Sequence, residues 1–300
     1  MGAEHNHGNI KGKKLGISIL LNVFITVAQA IGALVSGSLS LLSDALHNFS
    51  DVIALIISYI ADKLTQKQYT AEQTFGFKRA EIVAALINAA SLIAIALMLI
   101  KEAFIRLDEP AVIDSFIVIV LAGMSILVNG VSVLLIKNEA EDNMNMRSAY
   151  LHLLSDLISS VAVLIGGICM SVFKVYWIDS ALSIGIAIYL IYSSMGLLLQ
   201  TLKVLMQFSP SHIKSEEIAD ELTKLPYIQN VHHLHMWQLN DKDIHLEAHI
   251  DFSENLRLDE ASIVIEKANR ILKEKFDIRH ILLQPEFGIQ DSKELIFKEC

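Results

Sequence analysis

Cysteine is nearly absent from this 300-residue chain: there are two, Cys169 inside an apolar run and Cys300 at the last position. Two residues so placed build neither a disulfide framework nor a CxxC-type zinc site. Charge is also scarce, at 19% of residues, and it leans acidic, with 33 Asp and Glu against 24 Lys and Arg for a net charge of −9. The shortage of positive charge belongs to the tail: residues 1–207 carry 15 acids and 13 bases, residues 208–300 carry 18 and 11. An acidic tail disfavours nucleic acid and anionic lipid and concentrates cations, besides keeping the protein soluble. No nucleic-acid partner is expected.

Apolar residues are in excess. They make up 53% of the chain, with a mean hydropathy of +0.48, more than a soluble domain needs. Six runs, at about 15–36, 41–62, 80–102, 113–136, 148–173 and 177–200, reach the roughly 20 residues that cross a bilayer core as helix. The first follows Lys11, Lys13 and Lys14 but is too long for a signal peptide and lacks a cleavage site. Of the 13 Lys and Arg before residue 208, only Lys101, Arg106 and Lys174 fall on one side of the bilayer, which puts both termini in the cytoplasm.

The apolar runs end near Ser209-Pro210, giving a short N-terminal segment 1–14, a membrane domain 15–208 and a cytoplasmic domain 209–300. In the last, 212–224 reads as helix, 228–239 and 243–252 as strands joined at Asn240-Asp241-Lys242, 258–275 as helix and 279–286 as strand. Ile244, Leu246, Ala248 and Ile250 alternate with Asp243, His245, Glu247, His249 and Asp251, the signature of a half-buried strand. The fold class predicted is an α-helical membrane protein with six transmembrane helices followed by a cytoplasmic α+β domain of ferredoxin-like αββαβ order.

One hexapeptide occurs twice. Leu46-His47-Asn48-Phe49-Ser50-Asp51 and Leu151-His152-Leu153-Leu154-Ser155-Asp156 share L-H-x-x-S-D at similar depths of the second and fifth runs. His and Asp at i and i+4 lie one turn apart on one helix face, so two such helices offer two imidazoles and two carboxylates to one point. That donor set suits tetrahedral zinc, and two carboxylates neutralise a divalent ion brought below the membrane surface. Imidazole must be neutral to bind metal, so loading releases protons and protonation expels the ion, a minimal basis for antiport. The plainer alternative is that the pairs only hydrogen-bond between helices. A membrane metalloenzyme would want an H-E-x-x-H or a further carboxylate set as general base, neither of which the sequence offers, and a metal-sensing receptor would want an output module.

These features together resemble the cation diffusion facilitator family: six spans, the H-x-x-x-D pairs in spans two and five, Phe75-Gly76-Phe77-Lys78-Arg79-Ala80-Glu81 entering span three, and the α+β tail, over Lys14 to about Phe287. The resemblance implies a homodimer in the cell (inner) membrane that exports Zn²⁺, with Cd²⁺ and Co²⁺ as further substrates, in exchange for H⁺. It carries the transport site to His47, Asp51, His152 and Asp156, and His47 is the choice associated with zinc over cadmium. It also implies a regulatory Zn²⁺ in the tail; His232 and His249 match, while Ser262 stands where a helix histidine can occur and Ile281–Glu286 has none. His233 and His235 are the further tail candidates, since Val231-His232-His233-Leu234-His235-Met236-Trp237 resembles the family's first cytoplasmic strand. Strand alternation places His233 with His235, and His245 with His249. A second loop site seen in some relatives is not expected, because 63–79 has no histidine and only Glu72 as a ligand. His5, His7 and Cys300 are candidates for metal capture, and Lys78, Arg79 and Glu81 for anchoring a cytoplasmic helix end.

Overall fold

A computed structural model describes residues 7–65, 70–109, 111–137, 144–240 and 243–296. The chain forms two compact units, one comprising the chain up to Tyr59 with Ile87–Leu198, the other Ile60–Leu86 with Leu199 onward. His5, Asp241, Lys242 and Cys300 lie outside the described residues, and of His7 only the backbone is described.

Among the described residues six long helices dominate: α1 His7–Ser36, α2 Leu39–Thr65, α3 Ala80–Asp108, α4 Ser115–Ile136, α5 Met144–Phe173 and α6 Trp177–Leu205. Among the described residues four stretches are long and apolar enough to cross a membrane, Ala80–Asp108, Ser115–Leu135, Tyr150–Phe173 and Trp177–Leu205. α1 contributes a shorter apolar stretch, Leu20–Ser36, and α2 is interrupted by Asp44 and Asp51. Most helices outrun the predicted apolar runs because nothing in the flanking sequence breaks them; α1 starts at His7, taking in the lysines assigned to an N-terminal segment. Large apolar side chains such as Leu34, Phe116, Leu134 and Tyr192 are bared along these helices, the surface of a protein solvated by lipid rather than water.

Within the first unit α4 packs against α1 and α5. One core joins Ala33, Leu41, Val118, Ala122, Val163 and Met170, and a second joins Leu39, Ala96, Leu99, Ala103, Ala187 and Leu190. Gly32 lets α1 approach α4, since a Cβ there would come within 1.9 Å of the Leu121 side chain. The start of α2 is held from 140 residues away. Buried Asp179, in the first turn of α6, accepts hydrogen bonds from the Leu39 and Ser40 amides (2.6 and 3.2 Å) and from the Ser38 and Ser40 hydroxyls (2.6 and 2.5 Å). It thus does for α2 what a local N-cap side chain does elsewhere.

The second unit contains α7 Ser215–Leu222, β1 Ile228–Gln238, β2 Ile244–Phe252, α8 Leu258–Phe276 and β3 His280–Glu286, the αββαβ order read from the sequence. α7 is shorter than predicted, starting after Lys214 with Glu216 and Glu217 in a first turn that favours acids. The sheet runs β1-β2-β3, with β1 and β2 antiparallel and β2 and β3 parallel. Ile244, Leu246, Ala248 and Ile250 are buried with Ile218, Leu222, Val264, Ala268 and Leu272 in one core. A bulge interrupts β1 between His232 and His235, where His233 takes a left-handed backbone (φ 51°). In the same unit Lys78 pairs with Asp243 at 3.0 Å and Phe75 meets the His245 ring edge-on.

Candidate metal sites

The helical period sets the first site. Asp44, His47, Asn48 and Asp51 follow i, i+3, i+4, i+7 on α2, and His152, Asp156, Ser159 and Ser160 follow i, i+4, i+7, i+8 on α5, so each helix carries one polar stripe. The repeated serines hold the stripes in orientation: Ser50 donates to Asn88 of α3 (3.0 Å), and Ser155 meets Tyr189 of α6 (2.7 Å).

Where the stripes meet, the four predicted ligands form a closed ring of nitrogen–oxygen approaches. His47 Nδ1 lies 3.6 Å from Asp51 Oδ2, which lies 3.4 Å from His152 Nε2; that nitrogen lies 3.6 Å from Asp156 Oδ2, and Asp156 Oδ1 lies 3.5 Å from His47 Nε2. A tetrahedron of ligands at zinc distances has edges of about 3.3 Å. The contacts are not hydrogen bonds, for His47 Nδ1, Asp51 Oδ2 and both Asp156 oxygens are buried without a partner. Buried polar atoms that face one another unbonded imply something to share. His47, His152 and Asp156 converge with one ligand atom each within 4.8 Å, whereas Asp51 stands outside that group and approaches His47 through its other nitrogen and His152 through Nε2. Asp156 is 1% exposed and His152 43%, so the site grades from closed to open across its width.

Sequence reasoning missed the support behind this ring. Asp44, 1% exposed, accepts from Gln29 Nε2 (2.6 Å) on α1 and Ser159 Oγ (2.7 Å) on α5, and Asn48 Nδ2 reaches Gln29 Oε1 at 3.4 Å. Following each stripe one more turn would have found both Asp44 and Ser159. A third carboxylate does therefore stand behind the site, hydrogen-bonded to neutral donors as a positioning group.

A second cluster lies in the tail. The β1 bulge inserts a residue, so His232 faces the same side as its partner His249 instead of following plain alternation. His232 is fully buried, with Nδ1 3.3 Å from Asp251 and Nε2 3.3 Å from both Glu286 and Asp291, while His249 Nδ1 lies 2.7 Å from Glu286. His232 Nδ1, His249 Nδ1 and Glu286 Oε2 again lack hydrogen-bond partners. His232, His249, Glu286 and Asp291 each bring one ligand atom within 4.8 Å of the others. Glu286 arrives by parallel pairing of β3 with β2, opposite Asp251.

The other histidines divide. His233 stacks on His249 (4.8 Å between centroids) and meets His235 edge-on (5.1 Å); both stand beside the cluster, and His235 sits opposite Glu247. His245, on the same strand as His249, stacks instead with Trp237 and His280 (5.4 and 4.3 Å). Burial pushes its pKa down, and the neighbouring His280 and Lys78 push the same way. Burial would raise the Asp243 carboxyl, but the hydrogen bond and charge of Lys78 outweigh it and hold it below its ordinary value. Ser262 donates to the Leu258 carbonyl and takes no part in the cluster.

Residues 15–206 match the cation efflux transmembrane domain and residues 210–287 the cation efflux protein cytoplasmic domain. The chain belongs to the cation diffusion facilitator family. It is 33% identical over 289 residues to a cadmium, cobalt and zinc/H(+)-K(+) antiporter of Bacillus velezensis, covering 95% of this chain and 92% of that one. It is 31% identical to the metal cation efflux system protein CzcD of Cupriavidus metallidurans, over 96% of this chain and 91% of that one. With the zinc transporter ZitB of Pectobacterium atrosepticum it shares 29%, over 98% and 92%. Cation diffusion facilitators are membrane transporters of zinc and related divalent metals, not enzymes, and the bared apolar helices agree with a multi-pass membrane protein.

Proposed function

We propose that the protein exports Zn²⁺ from the cytoplasm in exchange for H⁺, through a tetrahedral site of His47, Asp51, His152 and Asp156. The observation that carries this reading is the ring of approaches at 3.4–3.6 Å whose buried atoms lack hydrogen bonds. Interhelical glue would align donor with acceptor; this arrangement leaves the lone pairs for a cation. Two carboxylates cancel the double charge, and two imidazoles favour zinc over the hard ions calcium and magnesium. The relatives named for cadmium and cobalt make Cd²⁺ and Co²⁺ the competing substrates. Neutral imidazoles bind the cargo; a proton arriving from the other side takes its place, and this exchange couples the two fluxes as α2 and α5 alternate their exposure.

The working unit in this reading is a homodimer in the cell membrane, each copy with six spans, both termini in the cytoplasm and a ferredoxin-like tail. The lysine and arginine bias supports the orientation, and the two family domains support the layout. The tail cluster of His232, His249, Glu286 and Asp291 is its regulatory zinc site. There the imidazole nitrogens and carboxylates hold the ion, which would join β1, β2 and β3 at one point.

The test is uptake of radioactive zinc into proteoliposomes with an acidic interior, comparing the native protein with Asp51→Ala and Asp156→Ala. Gradient-driven uptake that disappears in both variants is expected. Native-like uptake by either variant would remove that residue from the site.

A further inference from the structure

The match to the family's cytoplasmic domain ends at residue 287, yet the chain continues into the tail cluster. Gly288, at φ 69°, turns it back after β3. Residues 291–296 then run along the bulged part of β1: the His233 amide donates to the Glu294 carbonyl (3.2 Å), the Leu234 amide to Leu295 (2.8 Å), and Asn230 Nδ2 to Lys293 (3.3 Å). Leu295 packs against the core. The bulge serves this strap, since it turns two consecutive β1 amides outward to be paired.

In an extended segment Asp291 and Lys293 project to one side, and both reach the cluster. Lys293 Nζ lies 2.9 Å from Asp251, 3.7 Å from Glu286 and 3.5 Å from His232 Nε2, and it contacts Asp291. Three carboxylates thus surround one ammonium, and neutral imidazoles leave the pocket two negative charges in excess. The ammonium cancels charge without completing the hydrogen bonding: at 3.7 Å from Glu286 Oε2 it is too far to donate to it, and that oxygen accepts no hydrogen bond. An ammonium is a point charge without the directed acceptance a metal offers these lone pairs.

We propose that the C-terminal strap is part of the tail metal site: Asp291 is a ligand, and Lys293 is the chain's own cation, holding the site until a divalent metal displaces it. This rests on the reading of the tail cluster as a zinc site. A divalent ion bound to His232 Nε2 and Glu286 occupies the side that Lys293 faces, and two cations touching the same atoms repel. Lys293 therefore competes with metal and sets the zinc concentration at which the tail responds, while Asp291 keeps the strap attached once the exchange has happened.

The experiment uses the full-length protein in detergent with Asp51→Ala and Asp156→Ala, so that the membrane site is silent, and measures zinc affinity by competition with a chromophoric chelator. Lys293→Met should tighten binding roughly fivefold or more, the scale of a half-exposed ion pair. Lys293→Arg should bind like the parent, and Asp291→Asn should weaken binding roughly tenfold or more, as loss of a ligand does. Both positions are about a third exposed, so the substitutions leave the core intact. Equal affinity in Lys293→Met and the parent overturns the competition, and unchanged affinity in Asp291→Asn overturns the ligand. His249→Asn separates the two layers: if it too binds as the parent does, the tail site itself is wrong and the proposal falls with it.

Discussion

Asp179 offers a test of how the first site is held from a distance. Asp179→Ala removes the acceptor that the Leu39 and Ser40 amides have among the described residues outside their helix, and a bonding partner of the Ser38 and Ser40 hydroxyls. The hydroxyls already sit 3.2 Å apart and can bond to each other, so the uncompensated loss is two buried amides. Each hydrogen bond to a charged group is worth about 1.5–3 kcal/mol, and relief of the buried carboxylate returns part of this, leaving a net loss of about 2–4 kcal/mol. Asp179→Asn keeps one acceptor oxygen and should lose about half as much. His47 lies eight residues, about two turns, beyond Leu39, so fraying at the start of α2 loosens the ligand ring. Thermal unfolding in detergent, followed by tryptophan fluorescence, should show a lower midpoint in the order native, Asn, Ala, with zinc affinity of the membrane site falling in the same order. A native midpoint and native affinity in Asp179→Ala would refute the claim that this carboxylate holds the helix.

Two further outcomes concern the tail. Leu272 is fully buried in the α8 face of its core, and Leu272→Ala should destabilise the tail by about 2–5 kcal/mol, read as an earlier urea transition of its tryptophan, Trp237. His245 has a lowered pKa, so the unfolded chain binds its proton first. Its contribution is intact above the unfolded value near 6.5 and is lost as pH falls from there through the lower folded value. Replacing it with Phe should flatten the drop in stability between about pH 7.5 and 5.5; an unchanged slope would mean the ring titrates freely in the fold.

The paired H-x-x-x-D motifs were legible because a helix makes spacing into geometry: four residues are one turn, whatever the rest of the protein does. The same holds for the α+β tail, where Ile244, Leu246, Ala248 and Ile250 alternate as their burial does. Both are local periods, and local periods survive without tertiary information. The support around them does not. Asp179 caps a helix that begins 140 residues earlier, and Asp44 finds Gln29 and Ser159 on two other helices, pairings no spacing announces. In the tail, alternation joined His233 with His235 and His245 with His249. The rings of His233 and His235 do meet, but one inserted residue at the bulge also put His232 beside His249, while stacking with Trp237 and His280 drew His245 into an aromatic group.

What the sequence determined by itself was therefore the composition of the apolar helices, the period of each element and the donor atoms of the proposed membrane site. The tertiary structure decided which donors meet. Glu286 enters through a parallel strand pairing, and Asp291 and Lys293 return on a strap that uses the amides a bulge sets free. Such contacts depend on register and chain reversal, which a one-residue slip rewrites entirely, and so they exist only once the fold has chosen them.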